Sequence, residues 1–486
     1  MQINKTIKIL FYLLILIQGC TDRLLAQPNN YWTVSFNSEA SLLAGAVIGG
    51  NSGITSIYYN PAGIVEVQDK MLALNANLFN LSKTYYKNAL GTGNDLDYLN
   101  FTVKPRFISY QYKAPKRENI VFQFALFNRN NIKVSMYDQI TQDVRLVRPE
   151  INEIYTGYFD FSKNYMDTWG GFGMAYKISN KFTVGISSLV SYKDLKYLKN
   201  IGIYINPLEE NLPDSISYYN SNSSDYERIS MYDVRFVGKL GFRLKMNKIS
   251  YGLNFTFPSL KLFGSANVTR SITNTQIRYE NNPVEDVFLN ESATHLKSGF
   301  KEPFSVAFGI KYTGFDKLES SYFTIEYFHK IDTYKAIDGT ETISKKYEPA
   351  NDFLSFKHGA KSVLNISIGL QFMQSEKIEW LYGFKTNFNP YKVSSENIFQ
   401  YVNEFSFSPS DYYHLSVGSK FNYKKLSLIV GVEYTLGISK NISEFVNFAE
   451  PDVNLNQTLF LAGTLNKNMT LRTNLLGLYL GVTLGN

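Results

Sequence analysis

The chain has 486 residues, a formal net charge of +7 and one cysteine. The basic residues are scattered along the sequence, so the charge does not indicate a nucleic-acid-binding protein. Tyrosine and phenylalanine are frequent, with 36 residues of each type. Such an excess is typical of aromatic girdles at the boundary of a membrane.

The first 26 residues predict an export signal. Lys5 and Lys8 precede the apolar run Ile9–Ile17, which is shorter than the roughly 20 residues that a transmembrane helix needs. Leu24-Leu25-Ala26 fits a signal-peptidase site, and we expect cleavage after Ala26. The alternative is a lipobox that ends at Cys20, in which case Cys20 carries a lipid.

Many segments of the remaining chain alternate apolar and polar residues. In Ser305–Thr313 every second residue from Val306 to Tyr312 is apolar, and Leu475–Gly485 shows the same period. A period of two residues predicts half-buried strands. In a bilayer the apolar face of such a strand contacts lipid, and the polar face lines a lumen.

Short turns and long polar stretches alternate between these strands. The six short turns are expected near residues 115–117, 179–181, 247–248, 314–318, 375–377 and 424–425. The long polar stretches, expected as loops, are Lys193–Glu227, Ile331–Lys357, Pro390–Pro409 and Lys440–Asn466. This asymmetry is typical of outer-membrane barrels, and it disfavours a soluble β-sandwich.

The number of strands follows from the six hairpins. They supply twelve strands, and a leading strand near Met71–Leu81 and a closing strand near Leu471–Leu484 make fourteen. The sequence therefore predicts an all-β protein, a fourteen-stranded antiparallel transmembrane β-barrel over residues 68–486.

Residues 27–67 differ from the strands that follow them. Small residues dominate the run 41–50, and the step Asn60-Pro61-Ala62 favours a turn, because proline lacks a backbone donor and asparagine initiates turns. A barrel of this size without filling would be an open pore. We therefore expect residues 27–67 to form an N-terminal hatch inside the lumen.

The run from Asn37 to Ile64, with its Asn-Pro-Ala step, resembles the hatch of the FadL/TodX family of outer-membrane transporters for hydrophobic compounds. The resemblance implies diffusive uptake of compounds such as long-chain fatty acids across the outer membrane of a Gram-negative cell. It also implies gating at Asn60, Pro61 and Ala62. A lateral exit is implied beside a kinked third strand, at Ile120–Phe127, although these residues themselves do not indicate a kink.

The expected partners follow from this interpretation. They are a hydrophobic small molecule and outer-membrane lipid, without nucleic acid or cofactor, and the protein is expected to be a monomer. Aromatic residues of a long loop line the ligand entry in one interpretation and belong to the aromatic girdle in the other. They are Phe399, Tyr401, Phe405 and Phe407.

Other functions fit the sequence less well than transport does. The pair His414 and Ser416 has the spacing of outer-membrane phospholipases, but the alternation turns both residues to the lumen and Leu415 to lipid, so we expect no enzyme. The four histidines lack metal-ligand spacing, so no metal site is expected. A porin is disfavoured by the hatch. A barrel that serves as scaffold or shuttle for protein secretion to the cell surface remains as the alternative.

Overall fold

The computed structural model describes residues 30–33, 35–50, 52–66, 72–113, 119–208, 220–280, 282–314, 318–340, 353–391, 410–423 and 426–484. The expected signal peptide, with Cys20, lies outside these residues. So do the four expected entry-cleft residues, which are Phe399, Tyr401, Phe405 and Phe407. Within the described residues, no helix has the length and apolar character needed to cross a membrane.

The described residues are mostly strand. The strands are β1 (Leu72–Lys87), β2 (Leu96–Lys113), β3 (Ile120–Val144), β4 (Glu153–Lys177), β5 (Phe182–Pro207), β6 (Ser221–Met246), β7 (Ile249–Thr256), β8 (Leu260–Thr275), β9 (Arg278–Tyr279), β10 (Asn282–Pro283), β11 (Val287–Ser298), β12 (Ser305–Thr313), β13 (Leu318–Phe328), β14 (Ile331–Asp338), β15 (Phe356–Ala360), β16 (Val363–Ser375), β17 (Ile378–Asn387), β18 (Asp411–Tyr423), β19 (Leu426–Ile442) and β20 (Met469–Leu484). Ahead of them lie α1 (Ser38–Leu42), α2 (Ser56–Tyr59) and the 3₁₀ turns Gly53–Thr55 and Pro61–Glu66.

Antiparallel pairing connects the long strands in a ring. The order is β1-β2-β3-β4-β5-β6-β7-β12-β13-β16-β17-β18-β19-β20, fourteen strands within the described part of the chain. β20 also pairs with β1, from Lys87↔Thr470 to Ala76↔Leu480. The wall therefore returns to its first strand, and the predicted all-β antiparallel fold is confirmed.

Three of the six predicted short turns lie within the described residues, and each joins two neighbouring wall strands. They connect β4 to β5 across residues 178–181, β6 to β7 across Asn247–Lys248 and β16 to β17 across residues 376–377. The turns predicted near residues 115–117, 314–318 and 424–425 lie outside the described residues, wholly or for the most part. The end of the barrel that carries these turns is called the lower end below, and the opposite end is the upper end.

Several wall strands are much longer than a strand needs to be to cross a bilayer. β3 to β6 have 25 or 26 residues each, whereas a tilted transmembrane strand needs about 9–11. The expectation of a polar loop over Lys193–Glu227 was therefore wrong, because β5 continues to Pro207 and β6 begins at Ser221. β8, β11, β14 and β15 continue β7, β12, β13 and β16 upward, and they pair in the order β6-β8-β11-β14-β15.

Two buried apolar clusters fill the interior at different heights. The upper cluster packs the inner faces of the extended strands against the β19–β20 loop, where Phe445 stacks on Phe159 with ring centroids 5.4 Å apart. The hatch cluster packs the N-terminal segment against the wall, where the ring of Phe36 contacts both Phe107 and Phe127. Burial against this loop explains why the upper parts of β5 and β6 are ordered as strands.

Candidate functional site

The Asn-Pro-Ala turn lies inside the ring of strands. The side-chain amide of Asn60 donates to the carbonyl of Ile48 at 3.0 Å and to the carbonyl of Phe242, on β6, at 3.1 Å. Its Oδ1 accepts from the backbone N–H of Ala62 at 3.1 Å. Asn60 is 2% exposed and Pro61 and Ala62 are buried. Asn60 therefore connects the turn both to the hatch and to the wall.

Glycines on the inner face of the wall make room for the hatch backbone. A Cβ atom built on Gly309 would lie 2.5 Å from the backbone nitrogen of Gly49, and one on Gly383 would lie 2.6 Å from that of Ala44. Further wall glycines whose Cβ would collide with hatch atoms are Gly173, Gly185, Gly241, Gly252, Gly418, Gly431 and Gly481. Real Cβ atoms do not approach backbone atoms this closely, so the hatch requires glycine where its own backbone is the neighbour, as at Gly185, Gly252, Gly309 and Gly383.

Polar wall side chains hold the hatch through its carbonyl groups. Ser187 Oγ donates to the carbonyl of Ile57 at 2.8 Å, and Ser367 Oγ donates to that of Ala44 at 2.8 Å. Gln111 Nε2 donates to the carbonyl of Ile64 at 2.5 Å. These bonds satisfy carbonyl groups that the short hatch helices leave without partners.

The His414–Ser416 pair belongs to this same support. Ser416 Oγ donates to the carbonyl of Leu42 at 2.9 Å, and His414 Nδ1 lies 2.9 Å from Glu433 Oε1. Both residues are 2% exposed, whereas Leu415 is 53% exposed on the opposite face. The predicted orientation is confirmed, and it differs from that of a hydrolase site on the lipid face.

A group of charged side chains, named the charged layer here, lies above the hatch. Arg129 Nη1 lies 3.2 Å from Asp167 Oδ2 and 3.0 Å from Glu302 Oε1. Lys193 also pairs with Glu302, and the guanidinium of Arg129 lies 4.8 Å from the ring centroid of Trp169. These buried pairs were not predicted, because alternation identifies an inward position without identifying its partner.

Two cavities lie along the lumen. The upper cavity has a volume of about 60 Å³ and the lower cavity about 30 Å³. The upper cavity is lined by Asn30, Tyr31, Arg129, Asn130, Lys163, Tyr165, Asp167, Lys193, Leu195, Phe300, Lys301, Glu302, His358 and Tyr391. The lower cavity lies between hatch and wall and is lined in part by Ile48, Tyr58, Tyr59 and Lys239. Tyr31 lines both cavities, so it lies between them.

Burial and charge set the protonation of the upper cavity. Burial lowers the pKa of Lys163 to about 7. Burial raises the pKa of Glu302, but Arg129 and Lys193 outweigh that effect and hold it at about 2. At neutral pH Glu302 is therefore ionised, while Lys163 loses its proton far more readily than an exposed lysine does.

The wall changes its pairing between β2 and β3. Their ladder covers only Phe107–Lys113 with Val121–Phe127, although β2 extends up to Leu96 and β3 up to Val144. The β3–β4 register shifts between Asn128 and Asn130, so Arg129 lies at a β-bulge just above the end of that ladder. The bulge directly follows the segment where the resemblance placed a kink.

Pro105 contributes to this change of pairing. It lies in β2 opposite Ala76 of β1, two residues above Phe107. A proline cannot donate a hydrogen bond to a neighbouring strand, so it disfavours continuation of the β2–β3 ladder. The sequence signal for the discontinuity was therefore on β2 rather than on β3.

Comparisons with known proteins fit this architecture. No protein-family model and no curated protein matches the sequence. A solved FadL homologue of Pseudomonas aeruginosa is 11% identical with a TM-score of 0.56, and the match covers 94% of this chain and 100% of that one. The toluene transporter TodX of P. putida is 11% identical with a TM-score of 0.54 over 93% and 98% of the two chains. The CymD monoaromatic hydrocarbon channel is 11% identical with a TM-score of 0.50, and the match covers 93% of this chain and 98% of that one.

The structure thus belongs to the class of antiparallel β-sheet proteins in which the N-terminal segment is packed inside a ring of strands. More particularly, its fold is the FadL/TodX fold over nearly the whole chain, as the resemblance in the hatch predicts.

Proposed function

We propose that this protein is an outer-membrane channel of a Gram-negative cell that takes up hydrophobic compounds by diffusion. The observation that carries the proposal is the pair of cavities that meet at Tyr31, between a hatch inserted in the lumen and a wall with a discontinuity. The similar structures include a toluene transporter and a monoaromatic hydrocarbon channel, which supports this class of cargo.

The charges of the upper cavity favour a ligand with an acidic head group, such as a long-chain fatty acid. Four cations line it, Arg129, Lys163, Lys193 and Lys301, against the two carboxylates Asp167 and Glu302. Arg129 and Lys193 pair with those carboxylates. A ligand carboxylate adds the anion that Lys163 and Lys301 lack, whereas a neutral hydrocarbon leaves the polar lining without new partners.

Aromatic side chains in the two cavities contact the apolar part of the ligand. Tyr165 and Phe300 form an edge-to-face pair with centroids 6.1 Å apart in the upper cavity, and Tyr58 and Tyr59 line the lower one. Each CH₂ group buried there is worth about 0.8 kcal/mol. Binding therefore strengthens with acyl-chain length.

Passage requires movement, because the cavities have room for only a few water molecules. The hatch is the element to move, since short helices and side-chain bonds attach it to the wall, and Asn60, Pro61 and Ala62 form its connection to β6. The β2–β3 discontinuity beside Arg129 supplies the lateral exit.

The test compares uptake of labelled oleate and labelled toluene by cells with and without the protein. We expect oleate uptake to depend on the protein and to exceed any effect on toluene. Absence of protein-dependent uptake of both compounds contradicts the proposal. Stable co-purification of a secreted protein, in that case, supports the scaffold alternative.

A further inference from the structure

A second interruption of the wall lies between the strand β11–β12 and the strand β13–β14. The lower ladder ends at Ser305↔Phe328, and the upper one begins at Ser298↔Ile337. Two backbone hydrogen bonds flank the interval: the N–H of His329 donates to the carbonyl of Phe304 at 2.9 Å, and the N–H of Gly299 donates to the carbonyl of Ala336 at 2.8 Å. Between these two bonds the ladder leaves out residues 300–303 on one side and 330–335 on the other. Pro303 lies within this interval and cannot donate to a ladder. These two intervals are called the side port below.

Lys301 and Tyr334 close the side port. The backbone N–H of Lys301 donates to the hydroxyl of Tyr334 at 2.9 Å, and Nζ of Lys301 lies 4.3 Å from the centroid of the Tyr334 ring. Lys301 is exposed, and a cation over an aromatic ring at an exposed site is held weakly. Between the two flanking backbone bonds, the closure therefore consists of one long side chain over one ring and a single bond from backbone to hydroxyl, rather than of a continuous strand ladder.

The upper cavity lies directly behind this closure. Phe300, Lys301 and Glu302 all line that cavity, and Glu302 reaches Arg129 on the opposite wall at 3.0 Å. The ring of Phe300 lies 5.4 Å from that of His358, which also lines the cavity. Movement of Lys301 would therefore connect the cavity to the outside of the wall.

The side port lies at the height of the upper membrane boundary. β12 has 9 residues and β13 has 11 between the lower turn and the port, which is the length that spans a bilayer. Below the port, Phe255 and Phe304 pack with centroids 6.5 Å apart on the wall. At the port itself, Lys330 and Asp332 form an exposed ion pair at 3.0 Å. A carboxylate of an amphiphile dissolved in the outer leaflet lies at this same boundary.

We propose that an anionic amphiphile enters the lumen from the outer leaflet through this side port, with its head group passing Lys301 into the upper cavity. This inference rests on the proposed function and adds a route to it. Lys301 is the first cation that the head group meets, and Lys163, Lys193 and Arg129 are next along the cavity lining. The route differs from the β2–β3 discontinuity, which borders Arg129 on another side of the wall.

The experiment uses the full chain in nanodiscs with the fluorescent fatty acid cis-parinaric acid added through the lipid. Lys301→Cys is labelled with a bulky maleimide, and Lys261→Cys, an exposed lysine at the base of β8, is the matched control. Cys20 is the only cysteine of the sequence, and it is either removed with the expected signal peptide or blocked by a lipid, so the label attaches at one site. We expect labelling of the Lys301→Cys variant to slow both binding and release of parinaric acid at least tenfold, with an equilibrium affinity within threefold of that of the same variant before labelling. Labelling of Lys261→Cys should leave both rates unchanged.

Two further results separate the possible failures. Tyr334→Ala, which removes the ring under Lys301, is expected to accelerate both rates. If labelling leaves the rates of the Lys301→Cys variant unchanged, or lowers its affinity without a change in the release rate, the side-port route is refuted while the proposed function stands. If the unmodified protein binds no parinaric acid, the proposed function itself fails.

Discussion

Asn60 donates a hydrogen bond from its side-chain amide to the backbone carbonyl of Phe242, 3.1 Å away on β6. The two residues are 182 positions apart in the chain, and the same amide also holds the carbonyl of Ile48 within the hatch. One side chain thus connects the hatch turn to the wall. Proline next to it fixes the local backbone, so the amide is held in position before it meets the wall.

Removing this amide should loosen the hatch. In Asn60→Ala the buried carbonyls of Ile48 and Phe242 lose their donor, which costs about 1–3 kcal/mol. We expect more frequent hatch opening, measured as higher ion conductance of single channels in planar bilayers. Asn164→Ala, on the exposed face of β4, serves as control and should leave conductance unchanged. Equal conductance of both variants would show that Asn60 does not hold the hatch.

The wall glycines give a steric test of the same contact. A Cβ on Gly185 would collide with the backbone of Pro61, whereas one on Gly238 meets its nearest atom, in the ring of Phe257, at 3.5 Å. We expect Gly185→Val to displace the hatch, so that added protease cleaves within residues 38–66 of the reconstituted protein. Gly238→Val should be cleaved no faster than the unchanged protein. If the hatch is protected from protease in both variants, the close contact between Pro61 and Gly185 does not hold the hatch in place.

Local pattern predicted much of this fold, and distant packing accounts for the errors. The short turn at Asn247–Lys248 and the inward direction of Ser416 follow from turn chemistry and from a period of two, which are local properties. The upper part of β5 looked like a polar loop because Lys193, Lys196 and Lys199 recur there. It is a strand because Lys193 pairs with Glu302, 109 positions away, and its apolar neighbours pack into the upper cluster.

The candidate site was predicted only in part. The Asn-Pro-Ala turn could be placed in the lumen because its composition is unsuited to a strand. The charged layer could not be predicted. Arg129 faces the lumen because the β3–β4 register shifts by one residue at this position, which forms a β-bulge. A register shift depends on the pairing of two whole strands, and a single sequence does not show that pairing.

Glu302 is the centre of the charged layer, so its neutralisation should be costly. In Glu302→Gln the cations Arg129 and Lys193 lose a shared buried partner, and removing one member of a buried ion pair costs about 3–5 kcal/mol. We expect a lower urea midpoint of unfolding and a shift of ion selectivity toward chloride, measured from reversal potentials in a salt gradient. Asp332→Asn, at an exposed pair, should change neither. Unchanged selectivity in Glu302→Gln would mean that the charged layer does not border the ion path.

Lys163 should make ligand binding depend on pH. Its pKa is lowered to about 7 by burial, so it is neutral above that pH and gains a positive charge as the pH falls through 7. For an alkyl sulfonate, whose charge does not change over this range, we expect binding to strengthen from pH 8.5 to pH 5.5 by about tenfold, which corresponds to about 1.4 kcal/mol. Fluorescence titration of the detergent-solubilised protein at several pH values measures the effect.

The control for this pH dependence is Lys163→Gln, which keeps a polar side chain in the upper cavity but cannot titrate. Its affinity should match that of the unchanged protein at pH 8.5 and stay constant down to pH 7. The three other cations of the upper cavity explain why some affinity remains, because Arg129, Lys193 and Lys301 still face the ligand. A pH dependence that persists in Lys163→Gln with the same midpoint would assign the titration to another group and remove Lys163 from the binding site.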